Sequence, residues 1–79
     1  MYYVYMLKSV GFEDRYYTGF TEDIEKRLDC HNAGSVSHTS KYRPWKILSY
    51  VVFDDKQKAY DFERYLKSHS GRAFAAKHF

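Results

Sequence analysis

Tyr16-Tyr17-Thr18-Gly19-Phe20-Thr21, running directly into Glu22-Asp23-Ile24-Glu25-Lys26-Arg27-Leu28-Asp29-Cys30-His31, reads as a strand that turns sharply into a helix. Aromatic and β-branched residues favour the extended half. Gly19 relaxes the backbone at its exit, and Thr21 is the expected N-cap ahead of an acidic first turn. In the helix, Ile24, Leu28 and His31 follow the spacing of an inward stripe, while Arg27 lies one turn from both Ile24 and His31. Arg27 and His31 therefore share a face. With Tyr17 entering from the strand, a phenol, a guanidinium and an imidazole can line one pocket, a trio suited to a phosphate. Each also has a plainer explanation: Arg27 pairs with Asp23, His31 ends a helix, and Tyr17 fills a core.

Outward from this stretch, Tyr2 to Leu7 predicts a first strand with Tyr3 and Tyr5 on one side and Val4 and Met6 on the other. The polar connection Lys8 to Asp14 predicts an antiparallel hairpin with Arg15 to Phe20, which brings Tyr5 near Tyr17. The first helix is expected from about Glu22 to Asn32, stopping at Ala33-Gly34. Ser35 to Lys41 has no periodicity and reads as a loop, an ordinary connection or one whose hydroxyls and lysine contact phosphate oxygens. Lys46 to Phe53 is almost continuously apolar. It predicts a central or third strand buried on both faces, with Trp45 closing one end of the core. Asp54 or Asp55 caps a second helix whose buried stripe is Ala59, Phe62 and Leu66. Glu63 lies beside that stripe, partly shielded, where a carboxylate needs a cation or metal; the plainer reading is a surface pair with Lys67. Ser68 to Gly71 breaks this helix, and Arg72 to Phe79 forms a short terminal one with Phe74 and Phe79 packed down.

A chain of 79 residues is one domain whose core supplies roughly 3–5 kcal/mol of net stability. Nine Tyr, six Phe and one Trp provide the bulk that a longer chain would take from aliphatics. The single cysteine, Cys30, excludes an internal disulfide framework and a cysteine-based zinc cluster, so a reducing, cytoplasmic setting is expected. No apolar run has the length of a membrane span and no basic leader precedes the first apolar residues, which predicts a mature, soluble chain. The net charge is +3, but its distribution matters more. Acidic residues are absent from Cys30 to Phe53 and from Arg64 to Phe79. Brought to one face, these segments would suit a polyanion.

In order along the chain, Tyr3-Val4-Tyr5, Tyr17-Thr18-Gly19, Arg27, His31 and Glu63 resemble the GIY-YIG nuclease domain. The resemblance is greatest to its small stand-alone members, in which His-Asn-x-Gly ends the first helix, here His31-Asn32-Ala33-Gly34. Lys41-Tyr42-Arg43-Pro44 and the segment from Phe62 to Ser68 are also similar to that group. Any one piece is weak evidence, whereas five in order on suitable elements are strong. The resemblance covers essentially the whole chain and implies a single domain over residues 1–79. It implies an α+β fold, a small three-stranded antiparallel sheet flanked by helices in the order β-β-α-β-α-α. It also implies phosphodiester cleavage with one divalent metal, Mg²⁺ or Mn²⁺. Carried over residue by residue, the catalytic positions are Tyr5, Tyr17, Arg27, His31 and Glu63, with Glu63 the metal ligand. Tyr3 stands in place of the first motif glycine, and Val4 and Thr18 in place of the two isoleucines. A late active-site asparagine found in many members has Asn32, Ser68 or water as its possible substitutes.

On this reading Glu63 holds the metal against a phosphate oxygen and Arg27 binds the same phosphate through its planar fork. Tyr17 or Tyr5 is the base, and either needs its phenol pKa lowered by roughly 2–3 units by nearby positive charge. His31 holds a phenol or relays its proton. Lys41, Arg43, Lys67 and Arg72 are expected to bind nucleic acid, DNA ahead of RNA. So small a chain predicts structure-selective or weakly specific action, in repair or recombination, with targeting by a protein partner or self-association and no membrane. The alternatives are a non-cleaving nucleic-acid-binding module of the same fold and a protein-interaction domain with an aromatic surface.

Overall fold

In the computed structural model, which describes residues 1–78, β1 (Tyr2–Ser9), β2 (Tyr16–Thr21) and β3 (Trp45–Phe53) form one antiparallel sheet in the order β2-β1-β3. Between β2 and β3 come α1 (Ile24–Asn32) and a short helical turn (Ser40–Tyr42); α2 (Lys56–Lys67) and α3 (His69–His78) follow β3. The expected α+β class and the order β-β-α-β-α-α are both observed.

The strand buried on both faces is β1, in which Val4 to Leu7 are consecutively buried. Val4 and Met6 meet Ala59, Leu66 and Ala75 of α2 and α3, while Tyr5 and Leu7 meet Ile24 and Leu28 of α1 together with Trp45. Of the two placements expected for it, β3 is the third strand and not the central one, and the expected burial on both faces is not met: it is an edge strand, and its odd-numbered residues point in while its even-numbered ones are exposed. Leu48, Tyr50 and Val52, whose apolar character suggested burial, are 39%, 50% and 43% exposed. A bulge explains how the odd residues serve both faces. Met6 pairs with Ser49 and Leu7 with Ile47, which leaves Leu48 unpaired and twists the strand. Phe53 therefore joins the α2–α3 core, and Ile47 and Trp45 join the α1 core.

The helix ends also shift from expectation. Asp23, not Thr21, caps α1, accepting from the Lys26 N–H at 3.1 Å, because a carboxylate at this end also answers the helix dipole. Thr21 instead shapes the preceding turn, its hydroxyl bonding the N–H and the C=O of Asp23. Gly34 has φ +82, the left-handed conformation expected after the last turn. Asp55 caps α2 through the N–H groups of Gln57 and Lys58. The break expected over Ser68 to Gly71 narrows to Ser68, whose hydroxyl donates to the Tyr65 C=O and accepts from the Gly71 N–H. Gly71 lies inside α3. Phe74 is half-buried against the α2 side as expected, while Phe79 lies outside the described residues. Among the described residues no helix is long and apolar enough to cross a membrane.

Candidate active site

Register builds the site. Tyr5 pairs with Gly19 and Leu7 with Tyr17 across the β1–β2 ladder. Gly19 acts here as empty space, since a Cβ at this position would collide with the Tyr5 hydroxyl and ring. The Tyr5 side chain lies across β2 to reach α1, where its hydroxyl is 2.9 Å from His31 Nε2 and accepts a longer bond, 3.4 Å, from Arg27 Nε. The other ring nitrogen, His31 Nδ1, is 2.7 Å from Thr39 Oγ1, and Thr39 Oγ1 donates to the Val36 carbonyl at 3.3 Å. Arg27 can only donate and the Val36 carbonyl can only accept, so the chain of bonds has one consistent direction. Arg27 N–H donates to the Tyr5 oxygen, Tyr5 O–H to His31 Nε2, His31 Nδ1–H to Thr39, and Thr39 to Val36. Reversal would leave the buried Tyr5 proton without an acceptor.

Electrostatics agree with a neutral imidazole. Burial, reinforced by the Arg27 charge, pushes His31 below its ordinary pKa. Burial likewise pushes the Tyr5 phenol up, and the opposing hydrogen bond from Arg27 does not overcome it; Tyr17 and Glu63 add to the rise. The requirement that a tyrosine base have a lowered pKa is thus not met by Tyr5 in the free protein. Arg27 is held more firmly protonated, first by its bond to Tyr5.

Tyr17 is half-buried, its ring centre 4.9 Å from that of His31 and 6.3 Å from that of Tyr5. Because β2 is an edge strand, α2 reaches this tyrosine from the other side of the sheet, with Lys67 Nζ 5.9 Å from the ring centre. Glu63 pairs with Lys67 at 3.0 Å, yet its own side chain is only 14% exposed. The two readings of Glu63, shielded carboxylate and partner of Lys67, hold together. Among the described residues no three His, Cys, Asp or Glu side chains gather into a metal cage. One shielded carboxylate, with only Oε2 engaged by Lys67, fits a hard cation that takes most of its ligands from water and phosphate; it does not fit a protein-enclosed ion.

The remaining sequence candidates divide. Lys41 and Arg43 follow α1 in the same layer as the relay, with the Arg43 guanidinium against Gly34, whereas Lys67 and Arg72 belong to the α2–α3 layer. Asn32 is committed to structure: it accepts from the Trp45 N–H at 2.6 Å and donates to the Trp45 C=O at 3.1 Å. Ser68 is committed to the α2–α3 junction. Thr39, buried against His31, escaped sequence reasoning because it lies in an aperiodic loop. The one available signal was that this loop offered hydroxyls close after a helix-end histidine.

The profile of the GIY-YIG catalytic domain matches residues 1–77. UPF0213 proteins of Streptococcus pyogenes serotypes M3 and M28 are 40% and 39% identical to the chain over 72 residues, spanning 90% of it and 76% of each relative. The solution NMR structure of a UPF0213 protein from Bacillus halodurans aligns with a TM-score of 0.57 at 25% identity, covering 96% of this chain and 82% of that one. Match and fold together place the chain in the GIY-YIG family of nuclease domains, among its UPF0213 members.

Proposed function

We propose that this chain is a divalent-metal-dependent endonuclease acting on nucleic-acid phosphodiesters, with Tyr17 as the base. The observation that carries the reading is the directed chain Arg27–Tyr5–His31–Thr39 set beside Tyr17 and Glu63. Tyr5 spends its proton on His31 and its lone pair on Arg27, so it positions the guanidinium rather than attacking. With Nε held by Tyr5, the terminal nitrogens of Arg27 bind two oxygens of the scissile phosphate. Tyr17 borders an open cleft. Arg27 and Lys67 bring positive charge toward its ring. The Tyr17 phenolate takes a proton from water, the water oxygen attacks phosphorus, the bond to the leaving sugar oxygen breaks in line, and solvent water protonates that oxygen. Glu63 would hold Mg²⁺ or Mn²⁺, which supplies charge stabilisation at the phosphate and leaving oxygen when bound. DNA is the favoured substrate, with structure-selective or weakly specific cutting of the kind used in repair.

The test is cleavage of single-stranded, nicked and branched DNA with Mg²⁺ or Mn²⁺ by wild type and Glu63→Ala, both verified as folded. The lost i,i+4 pair with Lys67, whose lysine end is half-exposed, costs the fold about 0.3–0.5 kcal/mol, and the folding check covers what the shielded carboxylate adds. Metal-dependent cutting that vanishes in Glu63→Ala is expected. Cutting by neither protein, with salt-sensitive binding intact, would replace the reading by a non-cleaving nucleic-acid-binding module.

A further inference from the structure

On the α2–α3 side of the sheet, away from the Arg27–Tyr5–His31 chain, lies an open cleft of about 940 Å³. Its floor is apolar, formed by Met6, Leu48 and Leu66. Leu48 is available because the bulge leaves it unpaired in β3 and exposed on the strand. Around the floor stand the cations Lys8, Lys67 and Arg72, against a single lining acid, Asp14. Tyr16 borders the same space, is 52% exposed and lies under the Lys8 ammonium, 5.9 Å from the ring centre. Tyr17 lines the cleft as well and also packs on the α1 core, so it is the side chain shared by the two faces.

We propose that this cleft binds a short unpaired stretch of the nucleic-acid strand that is cut, so that the substrate class is DNA with a single-stranded segment next to the scissile phosphate. The substrate assignment rests on the nuclease reading above; the binding itself does not. An apolar floor with a tyrosine wall and a cationic rim matches the two halves of a nucleotide, a base to stack and a phosphate to neutralise. A base inside a continuous duplex is already stacked and paired and cannot enter, whereas an unpaired base can. The volume is at the upper end for a small-ligand site and suits more than one nucleotide. A strand lying in the cleft passes Tyr17 at the edge of β2 and delivers its next phosphate toward Arg27. Lys8, which plays no part in the catalytic reading, thereby acquires a role.

Fluorescence anisotropy with a short labelled oligothymidylate and a blunt duplex of the same length tests the proposal on the full chain, with circular dichroism confirming the fold of each variant. Tyr16→Ala is expected to weaken the oligothymidylate at least about fivefold, the loss of one stacked base, and to leave the duplex unchanged. Its salt slope should match wild type. Lys8→Ala should lower that slope by about 0.7, one phosphate contact to a single strand. Leu48→Glu, which places an acid on the floor at an exposed position, should weaken the single strand without touching the duplex. Unchanged single-strand affinity in Tyr16→Ala and Leu48→Glu, or an equal loss toward the duplex, would overturn the cleft as the binding site. Cleavage is read separately on the same wild type. If it cuts nothing the nuclease reading fails, and the binding comparison still decides the cleft.

Discussion

Thr39→Val removes one hydroxyl while keeping the side-chain volume, and the direction of the hydrogen-bond chain predicts how the neighbouring imidazole responds. Thr39 and His31 are both buried, and the hydroxyl accepts the His31 Nδ1–H at 2.7 Å. Leaving that N–H buried and unpaired costs about 1–3 kcal/mol, so the urea midpoint should fall at an unchanged m-value. Thr39→Ser keeps the bond and loses only a methyl group, for about 0.8 kcal/mol. Stability alone separates the variants by little, so the decisive reading is the imidazole tautomer, observed by NMR of the ring nitrogens. Wild type and Thr39→Ser should carry the proton on Nδ1. In Thr39→Val the Tyr5 O–H still needs His31 Nε2 as its acceptor, so the proton stays on Nδ1 as an unpaired donor and the ring nitrogen resonances shift without exchanging character. Cleavage should change little, since Tyr5 still presents its lone pair to Arg27. A wild-type ring protonated on Nε2, or a Thr39→Val ring whose proton has moved to Nε2, would refute the assigned direction.

Three further outcomes are expected. His31 is neutral in the fold and has its pKa below the unfolded value of about 6.5, so the unfolded chain takes up the proton first as pH falls. Its contribution is complete above pH about 6.5 and is lost through the window down to the folded pKa, with a slope of at most about 1.4 kcal/mol per pH unit. Urea midpoints measured from mildly alkaline to mildly acidic pH should show this fall in wild type and less of it in His31→Gln; identical profiles would remove His31 as the cause. Gly19→Ala should cost about 1–3 kcal/mol in thermal or urea unfolding, because the new Cβ meets the Tyr5 ring, and much less when Tyr5→Ala has already vacated the space. Tyr17→Phe should lower kcat by about 10²–10⁴ while leaving the melting temperature near wild type. A normal rate in Tyr17→Phe with a lost rate in Tyr5→Phe would transfer the base to Tyr5.

How far a sequence could be read depended on whether the deciding contact was local. Arg27 and His31 were placed on one face by helical spacing, and Tyr5 near Tyr17 by the length of the hairpin; both follow from geometry within one element or one turn. Glu63 was readable as a shielded carboxylate for the same reason. By contrast, β3 misled because Leu48, Tyr50 and Val52 are apolar but unburied, and only the bulge opposite Met6 and Leu7 shows where the odd residues go. Thr39 was invisible because its partner lies in another element and its own segment has no period. Gly19 reads in the sequence as a relaxed turn residue, whereas its role is to make room for a ring from the neighbouring strand. Lys41 and Arg43 follow α1 whereas Lys67 and Arg72 belong to α2 and α3, and no run of charges records which side of the sheet each helix packs on.

The Asn32 side chain grips both backbone polar groups of Trp45, much as a neighbouring strand would. It welds the end of the helix that carries Arg27 and His31 to the start of β3, and through the ladder to the strand that bears Tyr5. At this point the two halves of the site are tied by a side chain as well as by the ladder. On the nuclease reading proposed above, that tie shifts the adjustment toward the nucleic acid, and discrimination becomes a matter of compliance: the strands that bend or unstack most cheaply reach Arg27, and rigid ones do not.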